Sequence, residues 1–160
     1  MGGENALKSL LSHYKNAYDY IIIDTNPYLG LLTINALVAC DEVIIPVSPQ
    51  YWSAIGLTDL LSTISKVKRK LNPDITIAGI LLTIYDERTI LAREARALIT
   101  DTYGGQLRIF DTHIPTATKV GEANYYSQSI LDFAPSSKAA AAYESLALEV
   151  LGDYAQMRLV

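Results

Sequence analysis

Runs of consecutive apolar residues alternate along the chain with segments in which apolar residues recur every three or four positions. The runs are rich in isoleucine and valine and do not alternate with polar residues, which is typical of strands covered on both faces of a parallel sheet. The pattern predicts strands at residues 18–24, 42–48, 75–83 and 107–114, with a short one at 129–133.

The periodic segments predict four helices. The first contains Leu7, the second runs from near Leu57 to a stop signal at Pro73, the third covers residues 89–102, and the last begins after Ser137. Strands that alternate with helices favour right-handed βαβ units. We therefore predict an α/β fold, a mostly parallel sheet with helices on both faces, as a single domain over residues 1–160.

Composition narrows the class of protein. A chain of 160 residues that is 50% hydrophobic can form a buried core that needs no disulfide bonds or metal ions to stabilise it. Thirteen basic and seventeen acidic residues give a net charge of −4, which argues against attraction of the whole molecule to nucleic acid but permits a local basic patch. Cys40 is the single cysteine, and no signal peptide or membrane span is evident. We expect a cytoplasmic protein with no membrane partner.

The most specific local signal is the apolar run at residues 20–23, which Asp24 follows directly. Parallel sheets place their ligand crevice at the carboxyl ends of the strands, and a carboxylate there can hold Mg²⁺ opposite nucleotide phosphates. Asp24 is therefore the candidate metal residue. The alternative is that Asp24 only caps the strand or the following turn.

The residues that follow carry a resemblance to a known family. The stretch D-T-N-P-Y-L-G-L-L-T at residues 24–33 resembles the Walker B region of ParA-type partition ATPases, which include Soj and MinD. Other motifs of that family appear in the same order at residues 41–47, at 79–89, at Ile114-Pro115, at Glu122-Ala123 and around Lys138 and Tyr143. The resemblance implies a partial P-loop NTPase-like fold, in which this chain is the C-terminal portion of a ParA-like ATPase domain.

The resemblance also implies a set of ligand-binding residues. It places ATP beside Thr83, Tyr85, Pro115 and Thr116 and Mg²⁺ at Asp24, and it makes a switch segment of Thr25, Asn26, Pro27 and Gly30. Mg²⁺ and ATP are the cofactors of the intact family. No residue of this chain is assigned a catalytic role.

Partition ATPases form ATP-bound homodimers on nonspecific DNA, respond to a ParB-like activator and associate with the nucleoid. The resemblance implies these partners for the intact protein, and phosphate contacts of this kind need only clustered positive charge. The candidate DNA-binding residues are Arg88, Arg93, Lys119 and Lys138. The alternative is an ordinary solvated helix face, because acidic residues lie between these cations.

The sequence departs from the family in one major respect. Neither G-x-x-x-x-G-K-[ST] nor K-G-G-x-x-K-[ST] occurs in the 160 residues, so the phosphate cradle is missing. We predict no measurable hydrolysis and weak or no ATP binding by this chain, and whether it is an enzyme stays open. One alternative is a non-catalytic dimerisation or docking module with an exposed parallel edge. Another, a receiver domain with Asp24 as phosphoacceptor, lacks the acidic cluster and lysine it needs.

Two aromatic pairs and one histidine complete the candidate groups. Tyr51-Trp52 and Tyr125-Tyr126 can stack a base or dock a partner, although packing over sheet edges is favoured. His113 precedes Ile114-Pro115, a segment that borders the base pocket in the family, but a surface position is favoured.

Overall fold

The computed structural model describes residues 3–49 and 54–157, so the pair Tyr51-Trp52 lies outside the described residues. A 3₁₀ turn, Gly3–Asn5, begins the described chain. The helices are α1 (Ala6–Leu11), α2 (Leu31–Ala39), α3 (Ala54–Lys70), α4 (Ile90–Tyr103), α5 (Thr118–Tyr125), α6 (Ile130–Phe133) and α7 (Lys138–Met157). The strands are β1 (Glu42–Val47) and β2 (Thr76–Leu82).

The two strands pair in parallel. The Thr76 amide donates to the Asp41 carbonyl at 3.1 Å, and the Thr83 amide donates to the Val47 carbonyl at 2.9 Å. Two isolated parallel bridges, Ile80 with Ile109 and Tyr85 with Pro115, extend the pairing. The predicted α/β fold with a parallel sheet is confirmed.

Contacts divide the chain into two compact units, which we call the N-terminal unit (Met1–Ile44 and Ser53–Ala78) and the C-terminal unit (Ile45–Trp52 and Gly79–Val160). Each strand contributes its first residues to the N-terminal unit and its last residues to the C-terminal unit. The prediction of one domain over residues 1–160 stays a prediction.

The N-terminal unit buries the apolar stripe of α3 and most of α2. Leu57, Ile64 and Val67 of α3 are buried, as is Val38 of α2. The α3 residues are separated by three and seven positions, which is the signature of one helix face, and this is why the sequence pattern predicts the helix.

The C-terminal unit is built around β2 and α4. Thr89 begins α4, and its hydroxyl accepts a hydrogen bond from the Ala92 amide at 3.2 Å, so the helix start is capped by its own sequence. Ile80 and Ile99 are fully buried, and Phe110 packs at the position of Gly79.

Three of the predicted strands do not form within the described residues. Residues 20–26 have no regular secondary structure, and the Ile22 side chain is 94% exposed. A strand exists only through hydrogen bonds to a neighbour, and in the described part of the chain no strand pairs with this segment. Residues 107–114 form only the bridge at Ile109 instead of a full strand.

The predicted strand at residues 129–133 is the short helix α6. The Ser129 hydroxyl accepts a hydrogen bond from the Leu131 amide at 3.1 Å and caps the helix start. A short apolar run does not distinguish a strand from a helix, and here the cap decides the outcome.

Candidate functional site

An open groove of about 560 Å³ lies in the C-terminal unit. Three of the four predicted nucleotide-binding residues, Tyr85, Pro115 and Thr116, line it, whereas Thr83 does not. The remaining lining residues are mostly polar or charged, with two alanines among them: Asp86, Glu87, Arg88, Asp111, Thr112, His113, Lys138, Ala141, Ala142 and Ser145. The structure thus brings together residues 85–88, 111–116 and the first turns of α7.

Backbone hydrogen bonds fix the two loops that form the groove. The Tyr85 amide donates to the Ile114 carbonyl at 3.0 Å, and the Thr116 amide donates to the Tyr85 carbonyl at 3.4 Å. These bonds continue the parallel pairing of the sheet past the end of β2. The predicted nucleotide residues on the two loops therefore lie side by side because the sheet holds them there.

Ile84 carries backbone strain at the turn into the groove. Its φ is +51°, a left-handed conformation that is an outlier for a β-branched residue. Such a residue costs on the order of 1–3 kcal/mol, and strain of this kind concentrates at functional sites. The turn separates β2 from Tyr85.

An aromatic contact forms part of the groove lining. The rings of Tyr85 and His113 meet edge to face, with centroids 4.8 Å apart and planes inclined by 64°. Tyr85 is only 4% exposed, so its ring is held in place by packing. His113, for which the sequence favours a surface position, instead lines the groove beside the predicted base-binding residues.

A bidentate ion pair lies on the groove wall. The Arg88 guanidinium donates to both carboxylate oxygens of Asp86, each at 2.9 Å. The hydrogen bonds from Arg88 lower the pKa of Asp86 to about 2, and the same pair raises the pKa of Arg88. The positive charge of Arg88 is therefore already matched by a carboxylate.

Glu149 of α7 clamps the loop that leads into the groove. Its Oε1 accepts from the Arg108 guanidinium at 2.8 Å and from the Asp111 amide at 3.0 Å, while Oε2 accepts from the Thr112 amide at 3.0 Å. Burial raises the pKa of Glu149, but the hydrogen bonds from Thr112 and Asp111 and the charge of Arg108 outweigh burial and leave the pKa below its ordinary value.

Sequence reasoning missed Glu149 and the α7 wall of the groove. The wall residues Lys138, Ala141, Ala142 and Ser145 recur at intervals of three, four and seven residues. That spacing marks one helix face, so a search for small residues on the face that begins at Lys138 would have found them.

The predicted DNA-binding residues are mostly engaged in contacts within the protein. Arg93 donates to the carbonyls of Glu87 and Arg88 at 3.0 and 3.1 Å. Lys119 pairs with Glu122 at 2.6 Å, and Lys138 lies close enough to Asp86 to contribute to its lowered pKa. Arg88 and Lys138 line the same groove, and Arg93 contacts the backbone of Arg88, but the charges of Arg88 and Lys119 are each paired with a carboxylate.

Asp24 lies on a second groove, of about 560 Å³, within the N-terminal unit. Asp24, Thr25 and Asn26 line it together with apolar residues of α1 and α2, among them Leu7 and Leu32. The Asp24 side chain is exposed, and an exposed carboxylate next to a threonine hydroxyl offers the oxygen donors that Mg²⁺ takes when it keeps most of its waters. Within the described residues, no three His, Cys, Asp or Glu side chains form a cluster that could hold a metal alone.

The remaining switch residues connect this groove to α2. A Cβ at Gly30 would lie 2.6 Å from the ring of Tyr28, which is 75% exposed, so a larger residue here would displace that ring. The Thr33 hydroxyl donates to the Tyr28 carbonyl at 2.6 Å and ties the turn to the helix. Pro27 is exposed at the start of this turn.

The sequence of this chain is similar to those of known proteins. Residues 1–77 match the family model described as an AAA domain. The sporulation initiation inhibitor protein Soj of Bacillus subtilis is 42% identical over 150 residues, which are 94% of this chain and 58% of that protein. The chromosome-partitioning ATPase Soj of Treponema pallidum is 40% identical over 145 residues, which are 91% of this chain and 56% of that protein. These relatives support a ParA/MinD-type partition ATPase family for this chain.

Solved structures agree with the fold. Cobyrinic acid a,c-diamide synthase of Mycobacterium smegmatis superposes with a TM-score of 0.79 at 32% identity, over 96% of this chain and 55% of that chain. The same synthase with a bound ATP analogue and magnesium gives a TM-score of 0.67 at 37% identity, over 73% of this chain and 46% of that chain. The predicted P-loop NTPase-like fold is confirmed.

The chain spans about half the length of the curated relatives it matches, with coverage from 48% to 59% of their residues. Across the part of the chain that the structure covers, no helix has the length and apolar character required to span a bilayer.

Proposed function

We propose that this chain is the portion of a ParA-type partition ATPase that carries the nucleotide-base groove and the magnesium-associated carboxylate. The observation that carries the proposal is the groove in which Tyr85, Pro115 and Thr116 meet. Its volume of about 560 Å³ suits a small ligand, and an aromatic ring with backbone polar groups suits a planar base.

Each predicted group has a task under this proposal. Tyr85 and His113 would bound the base, while Thr116 would offer a hydroxyl and a backbone amide to its polar edge. Asp24 would hold Mg²⁺ through water, and the metal would supply neutralisation of phosphate charge. The switch segment would respond to the state of the nucleotide phosphates; it comprises Thr25, Asn26, Pro27 and Gly30.

The proposal extends to the partners of the intact protein. We infer that the intact protein forms an ATP-dependent homodimer, which binds nonspecific DNA on the nucleoid in the cytoplasm. We also infer that a ParB-like activator acts on it. Arg93 and Lys138 are the predicted DNA contacts whose exposed side chains have no carboxylate at ion-pair distance among the described residues. Because the sequence holds no P-loop, we expect this chain alone to hydrolyse no ATP.

The test compares this chain with a fusion that supplies the missing cradle. The segment of Bacillus subtilis Soj that precedes its match is joined to residues 1–160, and binding of a fluorescent ATP analogue is titrated with and without Mg²⁺. We expect Mg²⁺-dependent binding by the fusion and none at micromolar concentrations by the chain alone.

Two variants of the fusion assign the roles. Asp24→Asn should remove the dependence on Mg²⁺, whereas Asp19→Asn, an exposed carboxylate outside the groove, should leave it unchanged. Thr116→Trp should block the base groove and weaken binding with or without Mg²⁺. A fusion that folds but binds no nucleotide would refute the proposal.

The exposed residues Ile21 and Ile22 favour a second function. With Ile22 94% exposed, this strand-like segment can pair with an added strand, so a non-catalytic docking module is the other candidate. The fusion experiment separates the two, because a docking module would bind no nucleotide in either form.

A further inference from the structure

The C-terminal end of α3 carries a cluster of basic residues. Four of its last five residues are cationic, Lys66, Lys68, Arg69 and Lys70, in a chain whose net charge is −4. All four are exposed. None of them is among the DNA-binding residues that the family resemblance predicts.

The cations do not all face the same way. At 3.6 residues per turn, Lys66, Arg69 and Lys70 fall within an arc of about 100°. Lys68 points elsewhere and donates to the Ile75 carbonyl at 2.9 Å, which ties the helix end to the chain that enters β2. We call Lys66, Arg69 and Lys70 the α3 cluster.

The α3 cluster is opposite the buried side of its helix. Ile64 and Val67 are each 3% exposed, and on the helical wheel they lie about 170° and about 110° from the centre of the α3 cluster. Among the described residues, none of the three cations has a hydrogen-bond or ion-pair partner. The nearest acidic residue on the same face is Asp59, about two turns earlier.

Three like charges on one helix face repel one another. A like-charge pair three or four residues apart destabilises a helix, and the C-terminal helix dipole offsets part of that repulsion. A bound polyanion would turn the remaining repulsion into attraction. This contrasts with Arg88 and Lys119, whose charges are already paired with Asp86 and Glu122.

We propose that the α3 cluster binds the phosphate backbone of DNA without reading its sequence. The inference deepens the DNA-binding part of the proposed function and rests on it for the choice of polymer. A lipid surface fits less well, because membrane-bound amphipathic helices insert an apolar face and α3 buries its own.

The experiment measures binding of the 160-residue chain to a labelled duplex of about 30 base pairs by fluorescence anisotropy, from about 50 to 200 mM salt. The test variant is Lys66→Gln/Lys70→Gln. The matched control is Lys8→Gln/Lys15→Gln, which removes the same charge from exposed positions of the same unit. Glutamine keeps the helix propensity, and circular dichroism verifies folding.

We expect the test variant to bind at least about tenfold more weakly at the lowest salt. Its plot of log affinity against log salt should be shallower by about 1.8, because each phosphate that is no longer neutralised removes about 0.9 from the slope. The control should stay within about twofold of the parent chain. No DNA binding by the parent chain, or equal weakening in both variants, would overturn the inference.

Two further arms separate the α3 cluster from competing surfaces and ligands. If Arg93→Gln/Lys138→Gln abolishes binding and the test variant does not, the DNA surface is the one the sequence predicts and the α3 cluster is not a site. Binding to phosphatidylserine vesicles that disappears in the test variant, with DNA binding unchanged, would assign the cluster to a membrane instead.

The same substitutions in the Soj fusion keep this inference distinct from the proposed function. Nucleotide titration of the fusion with Lys66→Gln/Lys70→Gln should give the affinity of the unsubstituted fusion, because the α3 cluster lies on neither groove. Weaker nucleotide binding in this variant would mean that the cluster does not act on DNA alone and would overturn the assignment.

Discussion

Asn72 shows how one buried amide can hold two elements together. Its side chain is 5% exposed, and its Nδ2 donates to the carbonyls of Leu37 and Cys40 at 3.0 and 2.8 Å. Both carbonyls belong to the end of α2, where the last turn of a helix leaves carbonyls without helical partners. Asn72 therefore satisfies the end of α2 from the turn that follows α3.

Replacing Asn72 should reveal how much its two hydrogen bonds to the end of α2 stabilise the protein. We expect Asn72→Ala to lower the free energy of unfolding by about 1–3 kcal/mol, because buried carbonyls lose their donor. Urea unfolding followed by circular dichroism measures the change. Asn16→Ala, at an exposed turn, is the control and should stay within about 0.5 kcal/mol; an equal decrease in both variants would mean that the two bonds contribute nothing.

Gly79 is the position in β2 where a side chain does not fit. Its φ is +157°, and a Cβ would lie 2.9 Å from Cε2 of Phe110 and 3.0 Å from the Arg108 carbonyl oxygen. Gly79→Ala should therefore cost about 1–3 kcal/mol in unfolding free energy, since Phe110 must shift to admit the methyl group.

The control for Gly79 is Gly105→Ala, because no atom lies within 4 Å of the Cβ that it would add. Thermal unfolding should show a lower midpoint for Gly79→Ala and little change for Gly105→Ala. A normal midpoint for Gly79→Ala would show that the packing of Phe110 is loose.

At the scale of elements, α7 shapes the groove that Tyr85, Pro115 and Thr116 line. Its first turns form one wall, and Glu149, further along the helix, holds the amides of Asp111 and Thr112. Because the pKa of Glu149 is lowered on folding, its contribution to stability is complete above the unfolded pKa. That contribution is lost as the pH falls through the lower, folded value.

We expect Glu149→Gln to destabilise the protein at neutral pH by about 1–3 kcal/mol, because the amide cannot replace a carboxylate that accepts three hydrogen bonds. The difference from the parent chain should shrink between about pH 5 and pH 3, where the parent also loses the charge. Glu144→Gln, at another position of α7, is the control and should show no such convergence. A difference that is constant with pH would contradict the role of the carboxylate charge.

The elements differ in how far the sequence predicts them. The apolar stripe of α3 and the capping threonine of α4 are local signals, so both helices are predicted. Residues 20–24 and 129–133 look alike in sequence, as short apolar runs, yet one has no regular structure and the other is α6. A run of this length does not determine whether a neighbouring strand or a local cap will satisfy its backbone.

At the scale of the whole molecule, the most exposed apolar segment adjoins the predicted magnesium residue. Ile22 is 94% exposed, and Tyr28 and Leu32 are each 75% exposed. Exposed apolar runs favour association between chains. We expect the chain to self-associate through residues 21–24 at high concentration.

Ile22→Lys tests this expectation. Sedimentation equilibrium of the parent chain should give an average mass above the monomer value of 17.6 kDa, and the variant should return toward that value. Ile90→Lys, at a side chain that is 66% exposed in the C-terminal unit, is the control and should leave the association unchanged. A strictly monomeric parent chain would disprove the expectation.

The sequence by itself predicted the fold class, the family resemblance and three residues of the groove in the C-terminal unit, Tyr85, Pro115 and Thr116, because apolar periodicity and ordered motifs are properties of neighbours along the chain. Only the tertiary structure decided that Glu149 clamps the groove loop, that His113 faces Tyr85 and that Arg88 is paired with Asp86. The Glu149 clamp joins residues far apart in the chain, and the other two pairs depend on which way side chains point, which no local pattern encodes. The α3 cluster lies between these cases: its charges are visible in the sequence, but their lack of partners among the described residues is a fact of packing.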